Sequence, residues 1–208
     1  MDMRVNIAGV EWKNPVTVAS GTFGSGAEFC DFVDLSKLGA VTTKGVANIP
    51  WEGNPTPRVA ETYGGMMNAV GLQNPGIDLF CERDIPFLRQ HDTKIIVNVC
   101  GRSKEDYCEV VERLASEDVD MLEINISCPN VKEGGIAFGQ NPKAAEEITS
   151  AVKKYDEAAG HHEAKPECNR YHRDGKSCGG RRSRCSIADQ YTDWNEDRCT
   201  SKSICAGK

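Results

Sequence analysis

Fourteen residues near the middle of the chain, Leu122-Glu-Ile-Asn-Ile-Ser-Cys-Pro-Asn-Val-Lys-Glu-Gly-Gly135, carry the side chains best suited to chemistry. They read as a buried strand ending in a polar turn, where Asn125, Cys128 and Asn130 cluster beside Pro129 and a Gly-Gly pair. Amide side chains both donate and accept hydrogen bonds, and a cysteine can act as nucleophile or base once its thiolate is populated. Such a set suits a site that binds a flat, polar heterocycle and moves a proton. Strand alternation puts Leu122, Ile124, Ile126 and Cys128 on one face and Glu123, Asn125 and Ser127 on the other. Cys128 falls where the regular strand should end, so alternation does not fix its direction. Taken alone, a free cysteine at a strand end is more often a buried structural residue.

Two further segments carry polar groups at strand ends. Lys44 follows Ala-Val-Thr-Thr and precedes Gly45, with Thr42 and Lys44 on one face. A lysine there can neutralise a carboxylate or a reduced ring, or it can simply snorkel to solvent. Asn68-Ala69-Val70-Gly71-Leu72-Gln-Asn-Pro-Gly76 is a small-residue loop in which Gly71 permits close backbone approach. By composition alone it is equally a turn held by its own asparagines.

The elements that would position these residues alternate strand and helix. Pro15–Gly21 reads as a strand, Ala27–Leu38 as a helix and Leu38–Gly45 as a second strand. Residues 47–75 form a Gly- and Pro-punctuated excursion. A helix is expected within Ile77–Gln90 and a third strand over Lys94–Gly101. Ser103-Lys-Glu-Asp106 resembles a capping box opening a helix through Val110, Val111 and Leu114. Met121–Ser127 is the fourth strand. Asn141-Pro142 is an N-cap followed by proline at the first helical position, with Ala145, Ile148 and Val152 facing inward. Four strand-helix units predict a parallel α/β sheet. Ser20, Lys44, Asn98 and Asn125 all fall at or near carboxyl ends of strands, where a (β/α)8 TIM barrel gathers them on one rim. A flavodoxin-like open sheet is the alternative.

The 208 residues can bury one core, and the formal charge of -6 with no long basic run gives no sign of nucleic acid or an anionic membrane as partner. No stretch approaches the roughly 18 apolar residues of a membrane span, and the N-terminus lacks a signal-peptide core, so a cytoplasmic location is expected. Ten cysteines are present without a Cys-x-x-Cys pair, so no metal site is expected from spacing.

Taken in order, Ala19-Ser-Gly21, Thr43-Lys-Gly45, Asn68 to Gly76, Asn98-Val-Cys-Gly101 and Asn125 to Gly135 resemble the catalytic subunit of class 1B dihydroorotate dehydrogenase. The resemblance spans residues 4 to 154. It implies an FMN-binding TIM barrel that oxidises dihydroorotate to orotate in pyrimidine synthesis. It further implies that Cys128 takes a proton from C5 of the substrate while hydride leaves C6 for the flavin. Ser20, Lys44, Gly45, Asn98 and Asn125 would hold FMN; Lys44, Asn68, Ala69, Val70, Gly71, Leu72 and Asn125 would hold dihydroorotate. The implied partner is an FAD and iron-sulfur subunit that passes electrons to NAD, with a homodimer of catalytic chains at the centre. A dihydropyrimidine dehydrogenase-like flavin domain shares a similar Ser-Cys-Pro turn. A tRNA dihydrouridine synthase would call for a basic surface that this acidic chain lacks.

From residue 156 the character changes. Residues 161–185 hold almost no apolar side chain except alanine, so 156–208 is expected to be a disordered, non-family tail after the 1–155 barrel part. Reading the last two bases of each codon with the first of the next, His161 onward permits Ile-Met-Lys-Leu-Ser-Pro-Asn-Val, which resembles the family's fifth strand. A shifted reading frame is therefore expected for the tail, the alternative being a genuine cysteine-rich extension or a non-catalytic fragment. Four barrel units cannot close the sheet, so weak FMN binding and little turnover are expected of this chain.

Overall fold

The parallel sheet forms because its strands bury apolar side chains on both faces. In this computed structural model, which describes residues 1–126, 141–158 and 185–187, the sheet runs β3 (Ala40–Thr42), β6 (Lys94–Val99), β7 (Met121–Ile124) and β8 (Cys185–Ile187), all parallel. The residues facing the helices, Val41, Ile95, Val97, Val99, Leu122 and Ile124, pack with Leu35, Phe80, Leu88, Tyr107 and Leu114 in the main core. That double coverage is what a parallel sheet needs.

The opposite face is layered. Ala40, Ile96 and Met121 form an apolar layer with Ala8 and Trp12. Trp12 belongs to an N-terminal antiparallel hairpin of β1 (Val5–Ile7) and β2 (Val10–Trp12) that seals one end of the sheet. Moving toward the carboxyl ends, the same face turns polar, with Thr42, Asn98, Glu123 and then Asn125.

The helices follow their local signals. In α4 (Lys104–Leu114), the Ser103 side chain accepts from the Asp106 backbone N–H at 3.2 Å, and the Asp106 carboxylate accepts from the Ser103 backbone N–H at 3.2 Å. Asp therefore completes the capping box in place of Glu. In α5 (Pro142–Ala158), Asn141 Oδ1 accepts from Lys143 N at 3.0 Å, and Ala145, Ile148 and Val152 are buried as expected. This helix runs three residues beyond the expected boundary at 155.

Several elements depart from the sequence reading. Pro15–Gly21 is not a regular strand: Val16 O accepts from both Gly39 N and Ala40 N, while Pro15 has no N–H to extend a ladder. Its end turns instead into the short helix α1 (Ser20–Phe23), so Ser20 starts a helix rather than ending a strand. The helix expected over Ala27–Leu38 is absent. Turns at Gly24 and Gly26, both with positive φ, lead to a single 3-10 turn at Leu35–Lys37, where Asp34 accepts from Ser36 N. Within residues 47–75 stands an unexpected hairpin, β4 (Val59–Thr62) and β5 (Gly65–Asn68), joined by Tyr63-Gly64. The Ile77–Gln90 helix is broken into α2 (Ile77–Leu79), a π turn (Phe80–Asp84) and α3 (Ile85–Leu88). Ile85 N reaches back to Phe80 O, and Pro86 contributes no donor.

Three residues from the stretch expected to be disordered, Cys185–Ile187, pair with β7 in parallel, Leu122 opposite Cys185 and Ile124 opposite Ile187. An unpaired strand edge is a template that a short β-prone segment can occupy. The remainder of 159–208 lies outside the described residues.

A buried hydrogen bond joins α4 to the end of β7: Tyr107 Oη donates to the backbone oxygen of Asn125 at 2.6 Å. Tyr107→Phe is expected to lower stability by about 1 kcal/mol by removing that bond. Urea denaturation followed by circular dichroism measures this.

Candidate active site

The polar rim is built from backbone outward. Register places Asn98 on β6 directly beside Glu123 on β7. Thr43 Oγ1 accepts from Asn98 N at 3.3 Å, and Asn98 O accepts from Val46 N at 2.8 Å. Asn125 N donates to Val99 O at 2.8 Å. With both backbones fixed, the side chains meet: Asn125 Nδ2 donates to Asn98 Oδ1 at 3.1 Å, and Asn98 Nδ2 donates to Glu123 Oε1. Asn98 and Asn125 are both buried.

Gly45 lies against this pair. A Cβ there would stand 2.9 Å from Asn98 Oδ1, 3.3 Å from Leu72 Cδ2 and 3.4 Å from Cys100 Sγ, so only glycine leaves room for the amide. Lys44 is half-buried, and its Nζ donates to Gly21 O at 3.3 Å, beside the buried Ser20. Over Gly21 itself an added Cβ would meet nothing within 4 Å. Amine, amides and open backbone therefore line one face.

The loop from Asn68 to Gly76 is docked by Asn74. Its Oδ1 accepts from Ala47 N and Gly76 N, each at 3.0 Å, and its Nδ2 donates to Leu72 O at 2.7 Å. Leu72 takes a positive φ and is the loop residue that reaches Gly45. Gly71, with φ +78°, packs its α-carbon against Asn54, and Val70 is half-buried. Asn68 and Ala69 instead sit at the exposed end of the β4–β5 hairpin, where Asn68 pairs with Val59. The structure thus gathers Gly45, Leu72, Asn98 and Asn125, sets Lys44 and Ser20 together nearby, and leaves Asn68 and Ala69 on the surface. Cys128 and Asn130 lie outside the described residues. Among the described residues, no cluster of three or more His, Cys, Asp or Glu side chains is placed to hold a metal. None of their helices is long and apolar enough to cross a membrane.

Sequence reasoning passed over two contributors. Asn74 was legible only as a turn residue, although an asparagine before Pro-Gly is a common device for holding a loop. Alternation puts Glu123 on the polar face but does not say which residue stands opposite it. Burial raises the Glu123 pKa above its ordinary 4.5, opposed by the hydrogen bond from Asn98. An acid whose folded pKa is raised stabilises least when ionised: its contribution is most favourable below 4.5 and is lost as pH rises through the folded value. Glu123→Gln is therefore expected to flatten the fall in stability with rising pH across that window, measured as urea midpoints from pH 4 to pH 8.

The buried Cys81 and Cys108 are the opposite of activated thiols. Burial, reinforced by Glu117, pushes Cys81 up to about 11, and burial with Glu105 raises Cys108. Neither suits a base role.

Comparison with known proteins accords with this geometry. The dihydroorotate dehydrogenase family model matches residues 2–173. The catalytic subunit of dihydroorotate dehydrogenase B (NAD(+)) from Alkaliphilus metalliredigens is 69% identical over 154 residues, covering 74% of this chain and 51% of that protein. Its counterpart from Lachnoclostridium phytofermentans is 66% identical over 155 residues, covering 74% and 52%. The chain thus spans about half the length of the curated relatives it matches. The crystal structure of the Eimeria tenella enzyme in complex with ferulenol superposes with a TM-score of 0.64 at 24% identity, covering 76% of this chain and 44% of that one. That likeness favours the TIM barrel over an open sheet, with the first part of the barrel present here. The chain belongs to the dihydroorotate dehydrogenase family.

Proposed function

We propose that residues 1–155 form the FMN- and substrate-binding part of a catalytic subunit that oxidises dihydroorotate to orotate in pyrimidine synthesis. The observation that carries this reading is the Asn98–Asn125 amide pair, joined at 3.1 Å at the carboxyl ends of adjacent parallel strands. The donor set fits a flavin. Paired amides complement a dione ring with alternating donors and acceptors, Lys44 offers a positive charge, and the backbone over Gly21 is open to a flat molecule. FMN, when bound, supplies the hydride acceptor.

The chain's own residues supply orientation and proton transfer. Asn98 and Asn125 hold the ring plane, and Gly45 leaves the space that Asn98 needs. Lys44 pairs with the substrate carboxylate or with charge on the reduced ring. Leu72, fixed through Asn74, gives the pocket an apolar wall. Cys128 takes the proton from C5 as hydride leaves C6, and this requires electropositive surroundings to populate its thiolate. The catalytic chains pair as a homodimer, and an FAD and iron-sulfur subunit carries the electrons onward to NAD. The protein works in the cytoplasm.

In a full-length catalytic subunit carrying this site, Cys128→Ala is expected to keep flavin bound while slowing its reduction by dihydroorotate about 100-fold or more. Anaerobic stopped-flow at the flavin band measures this, and unchanged reduction removes Cys128 from the role. With four parallel strands and no closed sheet among the described residues, the 208-residue chain alone is expected to hold FMN substoichiometrically and turn over little. A fully yellow, active preparation would refute that. Residues 156–208 are attributed to a shifted reading frame; stops in the alternate frame of the coding DNA would refute this assignment.

A further inference from the structure

An acid inside a barrel needs a reason, because a buried carboxylate is costly and an apolar residue would fill the same space. Glu123 sits on the interior face, half-buried, next to the two amides already assigned to the ring. Its one described hydrogen bond is with Asn98. An asparagine amide is nearly symmetric in shape and can present either its oxygen or its nitrogen to a neighbour. What decides between the two is the hydrogen bonding around it.

Here the decision runs in one direction. Glu123 Oε1 accepts, so Asn98 must turn its Nδ2 toward it. The Asn98 oxygen then faces Asn125, and Asn125 must answer with its own Nδ2, at 3.1 Å. Other contacts fix the backbones of both asparagines, through Thr43 Oγ1 and Val46 N at Asn98 and through Val99 O and Tyr107 Oη at Asn125. The backbone contacts set where the amides lie, but not which end faces where. Gly45 completes the arrangement by leaving room for the Asn98 oxygen.

We propose that Glu123 is a positioning residue of the site: by accepting from Asn98 it fixes the amide orientation of Asn98 and, through it, of Asn125, so that the pair presents one set of donors and acceptors to the bound ring. Glu123 is assigned its effect through Asn98 rather than through a contact of its own with the ring. The part that concerns the ring rests on the flavin reading above; the relay itself does not.

The test separates the two. Side-chain amide resonances of Asn98 and Asn125 are followed in 15N–1H spectra of the 208-residue chain, first without ligand and then during titration with FMN. Glu123→Leu is expected to move the resonances of Asn98 and also those of Asn125, two links away, and to weaken FMN binding at least about tenfold. Glu123→Gln keeps the size and can still turn an oxygen to Asn98, so it is expected to restore the Asn125 position and bring FMN affinity back to within about threefold. A space-filling role would not distinguish Gln from Leu at Asn125. If the Leu variant does not fold, a compensating pair serves. Asn98→Asp alone places two carboxyl groups together and is expected to displace the Asn125 resonances; adding Glu123→Gln, whose amide can donate to Asp, is expected to return them. Asn125 resonances indifferent to Glu123→Leu, or to the compensating pair, overturn the proposal. FMN is added to a large excess, enough to drive the weak binding expected of this chain; resonances that respond to Glu123 but not to that excess leave the relay standing and count against the flavin reading instead.

Discussion

A polar side chain inside a parallel sheet must find its partner within the sheet, and the rest of this structure is arranged around that requirement. Asn98, Glu123 and Asn125 lie on the interior face where solvent supplies little, and they satisfy one another in series. The series exists because β6 and β7 are parallel and in a register that sets Asn98 beside Glu123. A slip of β7 by one residue would turn Glu123 and Asn125 toward the helices and bring Leu122 and Ile124 inward, away from Asn98. The apolar outer face and the polar inner face therefore enforce the same register from two sides.

The same face changes character along its length, and this division of labour explains where binding can occur. At one end Ala40, Ile96 and Met121 pack under Trp12, giving a dry floor. At the other end the side chains are amides, an acid and a lysine. The loops belong to the polar end. Asn74 ties the 68–76 loop to the turn after β3 through Ala47 N and braces the loop internally through Leu72 O and Gly76 N, which makes this small-residue segment a fixed wall. The apolar contacts are concentrated in the floor and helices and the polar side chains in the rim, a division that a barrel scaffold allows.

Much of this was legible from residue order. Asn98 and Asn125 could be located because period-two alternation carries a polar residue to a strand end, and α4 and α5 because their caps are written in Ser103, Asp106, Asn141 and Pro142. Other features depended on geometry that alternation does not encode. The β1–β2 hairpin is made of three-residue strands, too short to show a period, and its turn uses Ala8 at positive φ, an uncommon choice for a residue with a side chain. The β4–β5 hairpin was hidden in a stretch rich in Gly and Pro, although Tyr63-Gly64 between two short runs was a usable turn signal. Ser20 could not be placed on its helix because Pro15 and the shared acceptor at Val16 end the strand pattern early. Glu123 escaped notice because its meaning depends on which residue stands opposite, and that is a property of two strands together.

The Trp12 floor has a consequence for the order of events as the chain is made. The hairpin bearing Trp12 leaves the ribosome before the residues that bury it, which come from β3, β6 and finally β7. Until Met121 has been synthesised, a large indole and its hairpin have no complete site to occupy. Nascent chains at that stage expose an apolar surface that later residues cover, and they are the ones most in need of a holding chaperone.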